Sequence, residues 1–235
     1  MTEILYHEDS YLRDFQAIVE KVEGTGLVLD RTAFYPGGGG QPSDAGFLWC
    51  GNDRYQVVQV KNFNGDLLHT LDREPPVVKS LIQGQIDWER RYQLMRTHSA
   101  LHILCGVVWR DYGAHVTGGN MQPLQARMDF ELEHISTDFV AEIETKVNAE
   151  VDMNRTITTT ILSREKAMVI PDLIRTKINL LPEGIANVRV VDIQGLDLQA
   201  DGGTHVGSTG EVGRIKVVGH ESKGRINKRI RIEIE

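Results

Sequence analysis

The sequence predicts an α+β protein: a small, glycine-rich antiparallel β-barrel domain over residues 1–88, followed by an α/β sandwich domain over residues 89–235. Three observations carry this prediction. Short apolar segments separated by glycine, asparagine and aspartate turns recur through the first ninety residues. A long run of apolar residues at helical spacing begins at Trp88. Strands and helices then mix without the β-α-β rhythm of a parallel sheet.

The barrel prediction depends on six short segments, which suit a small barrel or sandwich. They are Ala17–Val22, Gly26–Leu29, Gly46–Cys50, Tyr55–Asn62, Asp66–Thr70 and Val77–Asp87. In the last segment, Gly84 is a candidate β-bulge, since glycine inside a strand often marks one. Between the second and third segments lies FYPGGGGQ, whose successive glycines permit positive φ and close approach of the backbone to a ligand. A flexible turn is the alternative interpretation.

The second domain opens with a helix over Trp88–Tyr112, which Gly113 ends. Residues Val116–Leu132 predict strand structure with a turn at Gly-Gly-Asn, residues 118–120. Ser136 or Thr137 can cap a second helix whose apolar stripe faces the core. The remaining predicted elements are a strand at Arg155–Leu162, a short helix at Ser163–Val169, a strand at Val188–Ile193, and a terminal hairpin or strand pair at Gly213–Gly219 and Ile226–Ile234.

Composition restricts the function classes. The chain has 235 residues, 40% of them hydrophobic, and a net charge of −7, which is typical of a globular protein. It contains no apolar run long enough to span a membrane, and its acidic first residues do not form a signal peptide. Cys50 and Cys105 cannot form a disulfide framework. We therefore expect a cytoplasmic protein without membrane association.

A basic strip lies near the C-terminus. Between Arg214 and Arg231, seven basic side chains stand against the single acidic residue Glu221. Such a strip can hold a phosphate backbone even on an acidic protein. The alternative is an edge strand protected by charge.

Four residues have the spacing of metal ligands. His98 and His102 lie four apart on the first predicted helix, so both imidazoles share one face and can bind one ion. The glutamate of the zincin helix is absent between them, which removes the general base of a metalloprotease. Asp201 and His205 flank Gly-Gly-Thr in QADGGTHVG and can complete a four-ligand shell of nitrogen and oxygen. Two unrelated histidines at a core edge are the alternative for the helix pair.

Three motifs in order, RTAFYPGGGGQPSDAG, HSALH and DGGTHVG, resemble the editing core of alanyl-tRNA synthetase and its freestanding relatives, the AlaX proteins. YGAHVTGGNMQPLQARMDFEL and SKGRINKRIRIEI are similar to later parts of that core. The resemblance covers nearly the whole chain. It implies a freestanding AlaX, since no segment can house an aminoacylation domain. The implied activity is trans-editing without ATP: deacylation of tRNA(Ala) mischarged with serine or glycine, which protects translation fidelity.

The resemblance also implies the metal site. His98, His102 and His205 match the family's ligands directly, and Asp201 stands where the family usually has cysteine. One Zn²⁺ per chain is implied, but the harder aspartate oxygen should weaken the preference for zinc and admit other divalent ions. Loss of the site remains an alternative. Cys105 is a rival ligand one turn beyond His102, although we expect it to pack in the core.

The remaining site residues are implied by the same resemblance. Thr32 and Gln41 are the candidate catalytic residues of the amino-acid pocket, and a hydroxyl-binding pocket rejects alanine strongly. His115 is a candidate substrate contact, whereas His7, His69, His134 and His220 have no partner at metal spacing. The candidate substrate-binding residues are Gly37, Gly38, Gly39, Gly40, Gly202, Gly203 and Thr204. The candidate tRNA-binding residues are Lys223, Arg225, Lys228 and Arg229.

Two other functions stay open. One is a non-catalytic tRNA-binding module in which Asp201 marks a degenerate metal site. The other is a metallohydrolase of a different aminoacyl ester on the same fold. No obligate protein partner is evident in the sequence. Metal content separates the first alternative from the editing enzyme, and a panel of aminoacyl-tRNAs separates the second.

Overall fold

The computed structural model describes residues 2–177 and 184–235. They form two compact units, Met1–Gln93 and Leu94–Glu235. Both helices and strands are present, and the first unit contains a closed antiparallel barrel, so the predicted α+β class is confirmed. Among the described residues, every helix is too short or too polar to cross a membrane.

The first unit is built from strands. They are β1 (Glu3–Ile4), β2 (Asp14–Glu23), β3 (Gly26–Leu29), β4 (Arg31–Thr32), β5 (Gly46–Cys50), β6 (Asp53–Phe63), β7 (Asp66–Leu71) and β8 (Leu81–Ile86). In the described part of the unit, six of them close into a barrel in the order β2-β3-β7-β6-β5-β8. The short strands β1 and β4 pair in parallel.

The barrel closes around the apolar side chains that alternate along its strands. In β2, Phe15, Ala17 and Val19 are buried while the residues between them are exposed. Leu48 and Val57 from other strands are fully buried in the same core. This alternation, with one side chain inward and the next outward, is the pattern of a strand that buries one face.

Two details of the last barrel strand were predicted wrongly. The strand begins at Leu81 rather than Val77, because residues 77–80 form a turn in which Lys79 adopts φ 72°. Gly84 is not a bulge, since it pairs in regular register with Phe15 and Leu48. A Cβ atom at Gly84 would lie 2.3 Å from the ring of Phe15. The glycine therefore makes room for an aromatic ring.

The remaining elements run from residue 88 to the C-terminus. They are α1 (Trp88–Tyr112), β9 (Val116–Gln122), β10 (Gln125–Phe130), α2 (Thr137–Asp152), β11 (Ile157–Ser163), α3 (Arg164–Met168), β12 (Asn187–Ile193), β13 (Asp197–Ala200), β14 (Ile215–Gly224) and β15 (Asn227–Ile234). Within the described ranges, one sheet has the order β14-β15-β10-β9 and another the order β11-β12-β13. The predicted terminal hairpin is confirmed as β14 and β15, whereas β13 was not predicted.

Both long helices follow their sequence signals. Helix α1 ends where Gly113 adopts φ 62° and donates its N–H to the carbonyl of Trp109. Helix α2 is capped by Ser136, whose hydroxyl oxygen accepts from the backbone N–H of Phe139 at 3.2 Å. The predicted apolar stripe of α2 is buried at Val140, Ile143, Val147 and Val151, and Phe139 is half-buried.

The turn between β9 and β10 lies later than predicted. Gly118 and Gly119 belong to β9 and pair with Asp129 and Met128. The chain reverses at Pro123–Leu124, where proline suits the first turn position and Leu124 adopts φ 60°. The backbone N–H of Leu124 donates to the hydroxyl of Thr97 at 2.9 Å, which stabilises this conformation.

Candidate metal centre

Helix α1 supplies two imidazoles to one buried cluster. His98 and His102 are 4% and 6% exposed, and their ring centroids lie 5.1 Å apart. Four residues along a helix bring side chains to adjacent turns of one face. The expected pairing of these histidines is therefore present.

The other two side chains of the cluster, Asp201 and His205, come from the loop that follows β13. Arg189 on β12 shapes this loop by donating from Nη1 to the carbonyl oxygens of Asp201 (3.2 Å) and Gly203 (2.8 Å). The N–H of Gly203 donates to Oδ2 of Asp201 at 2.6 Å. These hydrogen bonds fold the DGGTH segment so that Asp201 and His205 meet.

One ligand atom from each of His98, His102, Asp201 and His205 lies within 4.8 Å of the other three. Nε2 of His205 is 3.1 Å from Oδ2 of Asp201, and Nε2 of His98 is 3.6 Å from Oδ1. A tetrahedral ion with bonds of about 2.1 Å holds its ligands about 3.4 Å apart. The three nitrogens and one oxygen thus need only modest contraction to hold one divalent ion.

The electrostatics of three of the four side chains suit a cation. Burial opposes the charge of His102, but its hydrogen bond with Asp197 and the nearby Asp201 carboxylate raise its pKa. Burial lowers the pKa of His98 to about 4 and also lowers the pKa of His205, so both rings are neutral and keep a lone pair. Burial opposes the charge of Asp201, but the proximity of His98 and the hydrogen bond with His205 hold the pKa of this carboxyl well below its usual range. Neutral imidazoles beside an ionised carboxylate are the ligand forms that metals require.

Cys105 lies outside this group. It is 1% exposed, and burial raises the pKa of its thiol far above the ordinary value. A neutral buried thiol is a poor ligand, since the thiolate is the form that binds metal. The expectation that Cys105 packs in the core agrees with its position.

Two residues that the sequence did not single out contact the imidazoles from behind. Oδ2 of Asp197 lies 3.2 Å from Nδ1 of His102. The hydroxyl of Ser99 lies 3.1 Å from Nδ1 of His205 and accepts from the backbone N–H of Val206. Metal-binding histidines commonly use their second nitrogen in this way. Ser99 could have been found from the sequence, because it lies between the two helix histidines. Asp197 could not, because it lies on β13, a strand that was not predicted.

Within the first unit, the candidate pocket residues are buried. Thr32 is 0% exposed, and its hydroxyl lies 2.8 Å from Nε2 of His69 and accepts from the N–H of Phe34. Gln41 is 2% exposed and exchanges two backbone hydrogen bonds with Gly38. The four glycines at positions 37–40 all have positive φ, from 57° to 140°. The positive φ that the sequence permits at these glycines is therefore adopted.

Comparisons with known proteins identify the family. Residues 6–90 match the family described as tRNA synthetases class II (A), and residues 188–231 match the threonyl and alanyl tRNA synthetase second additional domain. The alanyl-tRNA editing proteins AlaX-M of Saccharolobus solfataricus and Methanosarcina acetivorans are each 40% identical to this chain, over 98% of both lengths. The chain belongs to the AlaX-M family. The alanine–tRNA ligase of Ignicoccus hospitalis is 37% identical over 92% of this AlaX-M chain, which spans 24% of the ligase.

In this AlaX-M chain, the second-additional-domain match contains the DGGTH loop and most of the terminal hairpin. Gly202 is exposed in the loop, whereas Gly203 and Thr204 are buried, and the backbone of Thr204 hydrogen-bonds to His98. His115 is half-buried, with its ring centroid 4.8 Å from that of Trp109. Of Gly202, Gly203, Thr204 and His115, only Gly202 is therefore exposed to solvent.

The four candidate tRNA-binding residues of this AlaX-M chain occupy different environments. Lys223 and Arg225 are exposed near the hairpin turn. Lys228 is 4% exposed and donates to the carbonyl oxygens of Gly224 and Arg225. Arg229 forms two hydrogen bonds to Asp129, at 2.7 and 2.8 Å. Lys228 and Arg229 therefore have partners within the fold.

Proposed function

We propose that this AlaX-M family member is a trans-editing hydrolase that removes serine from mischarged Ser-tRNA(Ala), with Gly-tRNA(Ala) as a second substrate. The observation that carries the proposal is the buried convergence of His98, His102, Asp201 and His205. Two of these residues lie in the segment that matches the synthetase second additional domain. Relatives aligned over nearly the full length are named alanyl-tRNA editing proteins.

The site suits hydrolysis of an activated ester. The ester between an amino acid and the terminal ribose of tRNA needs only modest assistance. The chemistry supplied by a divalent ion bound here is polarisation of the ester carbonyl or of a water molecule. His98 and His205 offer neutral nitrogens, and Asp201 contributes the negative charge.

We propose one Zn²⁺ per chain, bound by these four residues. Zinc accepts carboxylate oxygen beside imidazole nitrogen. The aspartate in place of a cysteine thiolate makes the site harder, so Mn²⁺ and Co²⁺ should also support activity. The substrate of the editing reaction is charged tRNA, so we infer a cytoplasmic location. We also infer that the protein has no obligate protein partner.

Serine selection is assigned to Thr32, supported by its hydrogen bonds. Nδ1 of His69 faces the carbonyl oxygen of Leu27, so Nδ1 carries the ring hydrogen and Nε2 accepts from the Thr32 hydroxyl. The N–H of Phe34 occupies one acceptor position of the same oxygen. One lone pair is left to accept from the hydroxyl of a seryl group, which alanine lacks. Because Thr32 is 0% exposed, the proposal requires that substrate binding opens the pocket around it. Gln41 and the adjacent glycines form the rest of the proposed pocket.

For tRNA binding, we propose that Lys223 and Arg225 contact phosphates. Both are exposed, so their charges can meet a nucleic-acid backbone. Lys228 and Arg229 stabilise the hairpin and so contribute to tRNA binding indirectly. The loop residues Gly202, Gly203 and Thr204 are assigned to the aminoacyl end of the substrate.

A deacylation panel tests the proposed function. Purified protein, before and after chelation, is incubated with Ser-tRNA(Ala), Gly-tRNA(Ala), Ala-tRNA(Ala) and serylated tRNA(Ser). We expect hydrolysis of Ser-tRNA(Ala) with Ala-tRNA(Ala) spared, loss of activity on chelation and recovery with zinc. Binding of tRNA without hydrolysis would support the non-catalytic module, and preference for another ester would support the other metallohydrolase.

A further inference from the structure

We propose that Asp197 is a positioning residue of the metal centre. Its carboxylate orients the His102 ring with Nε2 directed at the ligand cluster, and the Arg175 guanidinium forms an ion pair with the other carboxylate oxygen. This inference depends on the proposed function, since it assumes that the four-residue cluster binds a metal ion.

The contacts of Asp197 define this role. Asp197 is the first residue of β13, and its side chain is 0% exposed. Its Oδ2 lies 3.2 Å from Nδ1 of His102 and accepts from Nε2 of Gln199 at 2.5 Å. Its Oδ1 lies 3.5 Å from Nε of Arg175. A carboxylate buried this fully persists only where charged or hydrogen-bonding partners surround it.

These contacts select one tautomer of His102. Nδ1 has two polar neighbours, the Asp197 carboxylate at 3.2 Å and the Gln199 amide nitrogen at 3.5 Å. The carboxylate can only accept a hydrogen bond, and the amide nitrogen can only donate one. Because the shorter contact is to the charged acceptor, Nδ1 carries the hydrogen. In the neutral ring, Nε2 of His102 then keeps its lone pair for the ligand cluster.

Arg175 is itself held in place by two elements. Its guanidinium carbon lies 4.6 Å from the centroid of the Trp109 ring on α1, and its carbonyl oxygen accepts from the N–H of Val116. Its side chain is 10% exposed, and among the described residues the second carboxylate within 4.0 Å is that of Asp172, which is mostly exposed. The buried charge of Arg175 is therefore directed at Asp197.

If the Asp197–Arg175 pair were purely structural, its loss would lower the stability of the fold alone. If Asp197 positions His102, its loss also lowers the affinity for metal. Loss of the carboxylate behind a metal-binding histidine weakens metal affinity by about 10–100-fold. Asp197→Asn keeps the shape of the side chain and removes its charge, so it isolates this effect. Asp192→Asn is the matched control, because Asp192 lies on the neighbouring strand β12 and pairs with Leu198 of β13.

The experiment measures the zinc dissociation constant by chelator competition and the His102 tautomer by ¹⁵N NMR of the metal-free protein. We expect Asp197→Asn to weaken zinc binding about 10–100-fold and to change the His102 nitrogen shifts, with both unchanged in Asp192→Asn. Should Asp197→Asn fail to fold, Arg175→Gln tests the same network and should weaken zinc binding in the same direction.

Folded variants with wild-type zinc affinity and wild-type tautomer would overturn the role of Asp197. A wild-type protein that binds no zinc would instead contradict the proposed metal centre. In that case the tautomer measurement still decides whether Asp197 orients His102.

Discussion

The hydroxyl of Thr32 lies 2.8 Å from Nε2 of His69, and both residues are fully buried in the first unit. The two residues are 37 positions apart in the chain. His69 lies on β7, which pairs with β3, and Thr32 lies on β4, three residues after the end of β3. His69 fixes the direction of the Thr32 hydroxyl and leaves its oxygen as an acceptor. This relationship leads to the first two predictions.

Thr32→Val should lower discrimination between Ser-tRNA(Ala) and Ala-tRNA(Ala). Valine keeps the shape of threonine but cannot accept from the seryl hydroxyl, so the ratio of the two deacylation rates should fall by about tenfold or more. Single-turnover rates on both substrates provide the measurement. Thr70→Val on β7 is the matched control. A folded Thr32→Val protein with the wild-type ratio would remove Thr32 from serine selection.

His69 should make the protein sensitive to mild acid. Burial lowers the pKa of His69 to about 4, so the unfolded chain takes up a proton near pH 6.5 that the folded chain resists. Stability should therefore fall as pH decreases through this window, by about 2 kcal/mol from His69 between pH 7.5 and 5. Urea unfolding at both pH values, for wild type and His69→Gln, measures the difference. An equal loss in both proteins would mean that His69 titrates normally.

The sequence predicted those features that depend on local spacing. The i, i+4 histidines of α1 and the DGGTH segment are local patterns, and the structure brings all four side chains together. Features that depend on pairing between distant segments were missed. Strand β13, which carries Asp197, is short and forms by pairing with β12, and its last residue Ala200 donates its N–H to the carbonyl of Leu173. His69 has no signal in the sequence because its partner comes from another strand.

The exposed basic residues of the hairpin should set the salt dependence of tRNA binding. In the double variant Lys223→Gln and Arg225→Gln, affinity should fall, and the slope of log K against log salt should decrease by about 2 if each contacts one phosphate. Titrations at several salt concentrations measure the slope. The double variant Lys61→Gln and Lys166→Gln changes the net charge equally at other exposed positions. An equal effect of both double variants would indicate general electrostatics rather than a local contact.

Lys228 and Arg229 should behave differently from this exposed pair. Lys228→Gln removes donors to two carbonyl oxygens, and Arg229→Gln leaves the carboxylate of Asp129 without its bidentate partner. Each variant should lower the free energy of unfolding by about 1–3 kcal/mol. Thermal unfolding of the single variants measures this. If the variants are as stable as wild type but bind tRNA more weakly, Lys228 and Arg229 contact tRNA directly.

Asp201 should act as a working metal ligand although the family usually has cysteine at this position. Its carboxylate lies within 3.6 Å of Nε2 of His98 and 3.1 Å of Nε2 of His205, in a DGGTH loop held by Arg189. Asp201→Ala leaves three imidazoles, so metal occupancy after dialysis and the deacylation rate should both fall. Asp201→Cys should keep or raise zinc affinity, because thiolate is the better donor for that ion.

Metal analysis and deacylation rates for wild type and both Asp201 variants distinguish the possible roles of this residue. Oxygen ligation further predicts that wild type accepts Mn²⁺ or Co²⁺ in place of zinc, whereas Asp201→Cys should favour zinc more strongly. Asp192→Ala controls for the loss of an acidic side chain from the same part of the fold. If Asp201→Ala keeps full occupancy and full rate, three histidines suffice for the protein's part of the shell, and the fourth position belongs to water or substrate.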